Sequence, residues 1–295
     1  MKSFKVFYHD DLDGICSAAI VHHWLKTQFS NGYIVEYSKI NYGMEFPYDT
    51  IDSEDTVIMV DFGIQPFEGM IKLRSLCENF IWIDHHATAI KACEEYNAID
   101  ITGLRRIGLA GCELTWEYFM ESEQQIPQAI ELLGQYDTWR KDGKFNWDTK
   151  VMAFQYGMKK YLSPTDPIWE KLFNGYDYSS DIISIIEKGT EIVESIKASN
   201  IEDCKKFVFE TELDGLKCLA VNKYVASTFF ESMWDATKYD AMITFAFQKT
   251  CWSFSLFTDK PGIDVSVIAK ARGGGGHIQA AGWQSKTIPF NLPIK

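Results

Sequence analysis

The stretch whose reading decides the fold is Phe4-Lys5-Val6-Phe7-Tyr8-His9-Asp10-Asp11-Leu12-Asp13-Gly14, followed by ICSAAIVHHWLKTQF up to Phe29. Residues 4–8 are a short apolar run of strand length, and the segment after Gly14 spaces its apolar residues as a helix does. Acidic punctuation separates the two. The same grammar recurs further along. Val35–Ile40 reads as a second strand, and Asp55–Val60 as a third that runs into Asp61-Phe62-Gly63. Residues 66–78 suit a helix, Phe80–Ile83 a fourth strand running into Asp84-His85-His86, and Ala110–Met120 and Gln128–Tyr136 two more helices, the last stopping near Asp137. Short strands alternating with helices predict an α/β domain with a mainly parallel sheet. Three of the four acidic clusters fall at the C-terminal ends of predicted strands, where open α/β sheets place their ligands.

Beyond residue 143 the texture changes twice. From Lys144 to Pro167 the chain is mixed, and Ser180–Ser199 forms an amphipathic helix that reads as part of a connector. From Lys205 onward Phe207–Glu210, Leu216–Val221, Ala241–Gln248 and Cys251–Phe257 read as strands, Asp264–Arg272 as a short helix, and Gly273-Gly274-Gly275-Gly276-His277 follows it. Lys249-Thr250 suits a hairpin between the last two strands. The expected organisation is an α/β N-terminal domain over 1–143, a mostly helical connector over 144–204 and a smaller C-terminal α/β domain with a mixed sheet over 205–295.

Composition narrows the function classes. The 295 residues are 46% hydrophobic and 24% charged, which is ordinary for a folded chain. A formal net charge of −12 argues against bulk attraction to duplex nucleic acid, so no duplex binding is expected. It does not oppose a nucleotide substrate, because a carboxylate-rich site can hold cations that attract phosphate. No apolar run approaches a membrane span, and no signal-like apolar segment follows the N-terminal lysines, so a cytoplasmic protein without a membrane partner is expected. The seven cysteines are odd in number and contain no CxxC, which points away from disulfides and zinc knuckles.

The candidate site is His9, Asp11 and Asp13, then Asp61, then Asp84, His85 and His86, then Asp137. Each cluster alone has a plain structural reading, since Asp favours helix caps and turns. Together they form an oxygen-and-imidazole set without thiolate, which suits Mn²⁺ and Mg²⁺ first, with Fe²⁺ or Co²⁺ as alternatives. There are more ligands than one ion needs, and two ions bridged by a carboxylate would use them and clamp a phosphoryl group. His22 and His23 lie on the first helix and read as satisfied residues outside this set.

These motifs, in order, resemble those of the DHH phosphoesterase superfamily: His9-Asp10-Asp11-Leu12-Asp13-Gly14, Val60-Asp61-Phe62-Gly63, Asp84-His85-His86 and Tyr136-Asp137. Gly273 to His277, continuing to Ala280-Ala281-Gly282, resembles the glycine-rich motif of the family's associated C-terminal domain; the span 140–205 carries no motif. The resemblance implies a DHH catalytic domain and a substrate-binding domain. It implies two divalent ions, Mn²⁺ foremost, one held by His9, Asp11 and Asp61 and the other by Asp13, Asp61, His85 and Asp137. Asp61 would bridge, Asp84 would orient a ligand histidine, and His86 would face the phosphoryl oxygens. Arg272, Gly274, Gly275, Gly276 and His277 would grip substrate, the glycine N–H groups forming an anion nest. An arginine that family members often carry after Ser-Leu is replaced here by Phe257, after Ser255-Leu256.

The HxDLDG form is most similar to the oligoribonuclease branch. The implied activity is metal-dependent hydrolysis of short single-stranded oligonucleotides or dinucleotides to mononucleotides. The alternatives are a phosphatase of the 3′-phosphoadenosine 5′-phosphate type, a cyclic-dinucleotide phosphodiesterase, and a non-catalytic nucleotide-binding protein on the same fold. A homodimer is compatible with the sequence.

Overall fold

Phe4, Val6 and Tyr8 pack into one buried cluster and Phe7 into another, the alternation of a strand covered on both faces. The computed structural model describes residues 2–29, 32–120, 125–174 and 179–293. The first unit spans residues up to Val193 and begins β1 (Lys2–His9), α1 (Leu12–Gln28), β2 (Tyr33–Ile40), β3 (Thr56–Val60), α2 (Glu68–Leu76), β4 (Asn79–Ile83) and α3 (Ala87–Glu95). It continues with α4 (Gly111–Phe119), α5 (Gln128–Asp137), α6 (Met152–Met158), α7 (Pro167–Asn174) and the first part of α8 (Ser180–Phe207).

The four strands form a parallel sheet in the order β2-β1-β3-β4. One face carries α1, α4 and α5 around Ile20, Leu114 and Leu133, and the other carries α2 and α3 around Met70, Leu73 and Ala89. The chain therefore departs from β1 to opposite sides, and the switch between β1 and β3 opens at their C-terminal ends. His9 ends β1, Asp61 follows β3 and Asp84 follows β4. The strands expected at 4–8, 35–40, 55–60 and 80–83 are all present, each within two residues of the expected ends.

Beside β4 runs a short extended segment. Trp82 N donates to Thr102 O at 2.8 Å and Asp84 N to Leu104 O at 3.1 Å. Gly103 makes this approach possible: its φ is +131°, and a Cβ there would sit 2.0 Å from Trp82 O. Arg105 then donates to the carbonyls of Trp82 and Ile101 and fixes the segment beneath the β4 end.

The 144–193 stretch contributes α6, α7 and the start of α8 to the core of the first unit through Phe154, Met158, Trp169, Leu172 and Ile185. The sequence reading misses α3, and it gives α6 and α7 no bounds within the span expected to be mostly helical. In α3 only Ala89 and Cys93 are buried, too few apolar positions to stand out.

The second unit begins at Glu194, within α8. It contains β5 (Phe209–Leu213), β6 (Leu216–Val221), β7 (Ala241–Gln248), β8 (Cys251–Phe257), α9 (Val265–Lys270), β9 (Gly275–Gly276) and β10 (Ala280–Ser285). The order is β5-β6-β7-β8-β10-β9, with β6 and β7 parallel and the other pairs antiparallel. Helix α8 continues to Phe207, so the strand expected at 207–210 starts two residues later. The expected mixed sheet is present. Among the described residues no helix is long and apolar enough to cross a membrane. All seven cysteines are free.

Replacing Gly103 by Ala would force either the Trp82 carbonyl away or the segment off β4. We expect a loss of about 2–3 kcal/mol from the strain and overpacking, measured by urea unfolding.

Candidate metal centre

Each acidic side chain reaches the centre because a backbone element ends there. Asp11 is the N-cap of α1, and its Oδ1 accepts from Gly14 N at 2.9 Å. Gly14 is obligatory in this turn, because a Cβ would lie 2.2 Å from His9 O. Asp13 is buried in the first turn of α1 and accepts Gly111 N and Cys112 N, both at 2.7 Å. These are N–H groups at the start of α4 that have no partner within the helix. Asp61 stands at φ +56°, a left-handed conformation that Asp tolerates better than most residues. Its N–H bonds Ile83 O, and Trp82 Nε1 donates to Phe62 O at 2.9 Å, locking the turn to β4. Asp137 is the last residue of α5.

The side chains converge as the four motifs predict. His9 Nδ1 lies 2.7 Å from Asp11 Oδ2 and 3.7 Å from Asp61 Oδ2. His85 Nε2 lies 3.2 Å from Asp61 Oδ1, 3.3 Å from Asp137 Oδ2 and 3.7 Å from Asp13 Oδ2. Three overlapping groups result, each with its ligand atoms within 4.8 Å of one another: His9-Asp11-Asp61, Asp13-His85-Asp137 and Asp61-His85-His86. Asp61 belongs to two of them and is 1% exposed, yet neither of its oxygens receives a well-directed hydrogen bond. A buried carboxylate in that condition is costly unless a cation meets it. The donor set, oxygen and imidazole without sulfur, fits hard or borderline divalent ions.

The electrostatics carry the same message. Burial, then the Asp61 charge, pushes the Asp13 carboxyl up to about 8. Burial and the Asp13 charge push Asp137 up to about 7, and burial and Asp11 hold Asp61 well above the carboxylate range. Burial opposes the charge on His9, but Asp11 and Asp61 outweigh it and lift the imidazole to about 11. His86 rises to about 9 because Asp84 likewise outweighs its burial. Without added cations, the cluster keeps protons to limit its own repulsion.

Asp84 differs from the expectation in one respect. Its Oδ1 accepts His86 Nδ1 at 2.7 Å and the backbone N–H groups of His85 and His86 at 2.8 and 3.2 Å. The imidazole it orients is that of His86, the residue expected to face the phosphoryl oxygens, while His85 is held through its backbone N–H. The cause is local: the turn into α3, whose N-cap is His86, folds residues 85 and 86 back over the Asp84 carboxylate. His22 and His23 are satisfied elsewhere, by the Tyr37 hydroxyl at 2.9 Å and Glu170 at 3.0 Å.

The second unit treats its glycine run differently from a free nest. Gly273 N and Gly274 N donate to the carbonyls of Lys270 and Ala269 and close α9. Gly275 and Gly276 are β9 and pair with Gly282 and Ala281. Gly274 packs so close to β10 that a Cβ would lie 2.0 Å from Gly282 O. Arg272 donates to Asp214 at 2.8 Å and to Ile268 O, and its guanidinium lies over Trp283. His277 is exposed beside them, and Phe257 is half-buried against the Phe229 and Phe230 cluster.

The sequence places α4 at Ala110–Met120 but gives no role to its first turn. Besides the two N–H groups on Asp13, Glu113 accepts Ala110 N at 2.9 Å and Arg140 Nη2 at 2.6 Å, joining α4 to the loop after Asp137. The glutamate three residues after a helix start was the available signal.

Residues 3–134 match the DHH family, N-terminal domain. The chain carries a DHH-family domain. The match takes in the first three of the four motifs, while Tyr136-Asp137 and the glycine-rich run lie beyond it. Uncharacterized protein R106 of Acanthamoeba polyphaga mimivirus is 26% identical over 311 aligned positions, covering 98% of this chain and 69% of that one. Two solved structures share the fold. The pGpG-specific phosphodiesterase PggH of Vibrio cholerae has a TM-score of 0.53 at 12% identity, over 97% of this chain and 94% of its own. Exonuclease RecJ bound to manganese has a TM-score of 0.51 at 13% identity, over 96% of this chain and 85% of its own.

The raised carboxyl values set a pH dependence. In the DHH domain without metal, folded Asp13 and Asp137 hold protons that the unfolded chain releases near 3.8, so unfolding free energy falls as pH rises towards about 8. Each retained proton costs up to about 1.4 kcal/mol per pH unit. With EDTA the melting temperature should drop between pH 5 and pH 8, and added Mn²⁺ should raise it most at pH 8. A melting temperature that climbs over that range in EDTA would contradict the assignment.

Proposed function

We propose that the protein is a divalent-metal-dependent phosphodiesterase that hydrolyses short oligonucleotides or dinucleotides to mononucleotides. The observation that carries this reading is Asp61, buried with neither oxygen receiving a well-directed hydrogen bond and ringed by the nitrogens of His9, His85 and His86. His9, Asp11 and Asp61 would hold one ion, and Asp13, Asp61, His85 and Asp137 the other, with Mn²⁺ as the first choice. Bound there, the cations supply hydroxide from a water near neutral pH and neutralise charge on the phosphoryl oxygens.

The chain's own groups do the rest. Asp84 engages Nδ1 of His86, which leaves the other ring nitrogen to donate to a phosphoryl oxygen. So oriented, His86 would offer an N–H where the transition state gathers negative charge. The starts of α1, α3 and α4 all lie at this edge, and helix N-termini favour anions. In the second unit exposed His277 is the residue we assign to a substrate phosphate, beside Gly274, Gly275 and Gly276, while Arg272 would have to exchange Asp214 for substrate to take part. A phosphodiesterase named for pGpG and a manganese-bound exonuclease on the same fold support both the substrate class and the metal.

With Mn²⁺, purified protein should convert a labelled RNA dinucleotide to mononucleotides, and EDTA should abolish the reaction. Turnover confined to 3′-phosphoadenosine 5′-phosphate would move the assignment to the phosphatase class. Asp13→Ala should lose both hydrolysis and the Mn²⁺-dependent rise in melting temperature; retained hydrolysis would overturn the metal assignment. Asp84→Asn should cost roughly 10–100-fold in activity, the usual penalty for removing a group that orients a site residue.

A further inference from the structure

The loop after β2 brings one aromatic surface to a centre otherwise made of carboxylates and imidazoles. β2 is the neighbour of β1, so its C-terminal end lies on the same sheet edge as His9. Tyr42 follows that end by two residues. Its backbone is held by a tight turn: Tyr42 N donates to Asn41 Oδ1 at 2.8 Å, Met44 N to Asn41 O at 3.1 Å, and Gly43 adopts φ +84°.

The ring is placed by contact. Its centroid lies 4.9 Å from Phe62, tilted by 38°, and Phe62 is 3% exposed and directly follows Asp61. His9 meets the ring edge-on at 5.8 Å and His86 does so at 6.4 Å. One is a ligand in the proposed metal set and the other is the histidine assigned to the phosphoryl oxygens. Tyr42 nevertheless stays 44% exposed. A large ring backed by a buried phenylalanine, fixed between the two histidines and open to solvent, is a preformed flat surface beside the candidate metal centre.

We propose that Tyr42 stacks on a nucleobase adjoining the scissile phosphate and makes this centre select nucleotides over simple phosphoesters. This rests on the phosphodiesterase reading above. The cation-binding groups can grip phosphate but offer nothing to a base, whose π-face needs a flat partner. Stacking of this kind tolerates any base, because every base has such a face.

The test compares wild type, Tyr42→Ala and Tyr42→Phe on an RNA dinucleotide and on the same dinucleotide with both bases removed. Tyr42→Ala should raise KM for the natural dinucleotide about tenfold or more while kcat changes far less, and Tyr42→Phe should restore the wild-type KM. On the base-free analogue the gap between wild type and Tyr42→Ala should close. An equal penalty on both substrates, or a Tyr42→Phe variant as impaired as Tyr42→Ala, would overturn the stacking role. Dinucleotide binding with Ca²⁺ in place of Mn²⁺, followed by calorimetry, separates the two readings. Tighter binding by wild type than by Tyr42→Ala, without turnover in Mn²⁺, would retain the stacking role and defeat the phosphodiesterase. Equal affinities, or no binding by wild type, would defeat the stacking role even if hydrolysis is found.

Discussion

A carboxylate buried without a donor is the constraint on which the rest of the first unit depends. Asp61 sits at the end of β3 in a left-handed turn, with the Ile83 carbonyl, the Trp82 indole and the start of α4 fixing its surroundings. Gly111 is part of that fixing. A Cβ there would fall 2.6 Å from the Asp61 Cβ, so only glycine lets α4 approach this closely. The fold thus spends a strained backbone conformation and a close helix contact on holding one carboxyl group among other acids, where burial and Asp11 push it well above the carboxylate range in the absence of metal.

The neighbouring groups are arranged around that charge in two opposing ways. The N-terminal ends of α1, α3 and α4 lie around it, and Asp13 accepts two N–H groups from α4. That partly offsets the crowding of carboxylates. Asp137 comes from the opposite kind of end, the C-terminus of α5, where helix carbonyls add to the negative field. Its carboxyl and that of Asp13 are both pushed far up in the absence of metal. The balance is a site that tolerates protons but is better matched to divalent cations.

The glycine run of the second unit illustrates how one motif serves structure first. Its first two N–H groups terminate α9 and its last two residues form an edge strand on β10. The close approach of Gly274 to Gly282 explains a requirement for glycine without any ligand. Any phosphate contact from this element therefore falls to what remains exposed, His277 above all, and Arg272 enters only by giving up Asp214.

The sequence by itself determined the parallel sheet and the membership of the site. Strands such as Phe4–Tyr8 are continuous apolar runs because both faces are covered, and β1, β3 and β4 run into acidic clusters because strand ends are where the chain turns towards solvent. His9, Asp11, Asp13, Asp61, His85 and Asp137 were legible for that reason, together with their order. The strands Gly275–Gly276 and Ala280–Ser285 were not, since their burial alternates only at Ala281 and Trp283 and glycine hides the pattern. Nor did the sequence tell that Asp84 pairs with His86, that α4 donates to Asp13, or that Tyr42 lies between His9 and His86. Those relations join residues from different elements, and only the tertiary packing of β4, α4 and the loop after β2 against the end of β3 sets their distances.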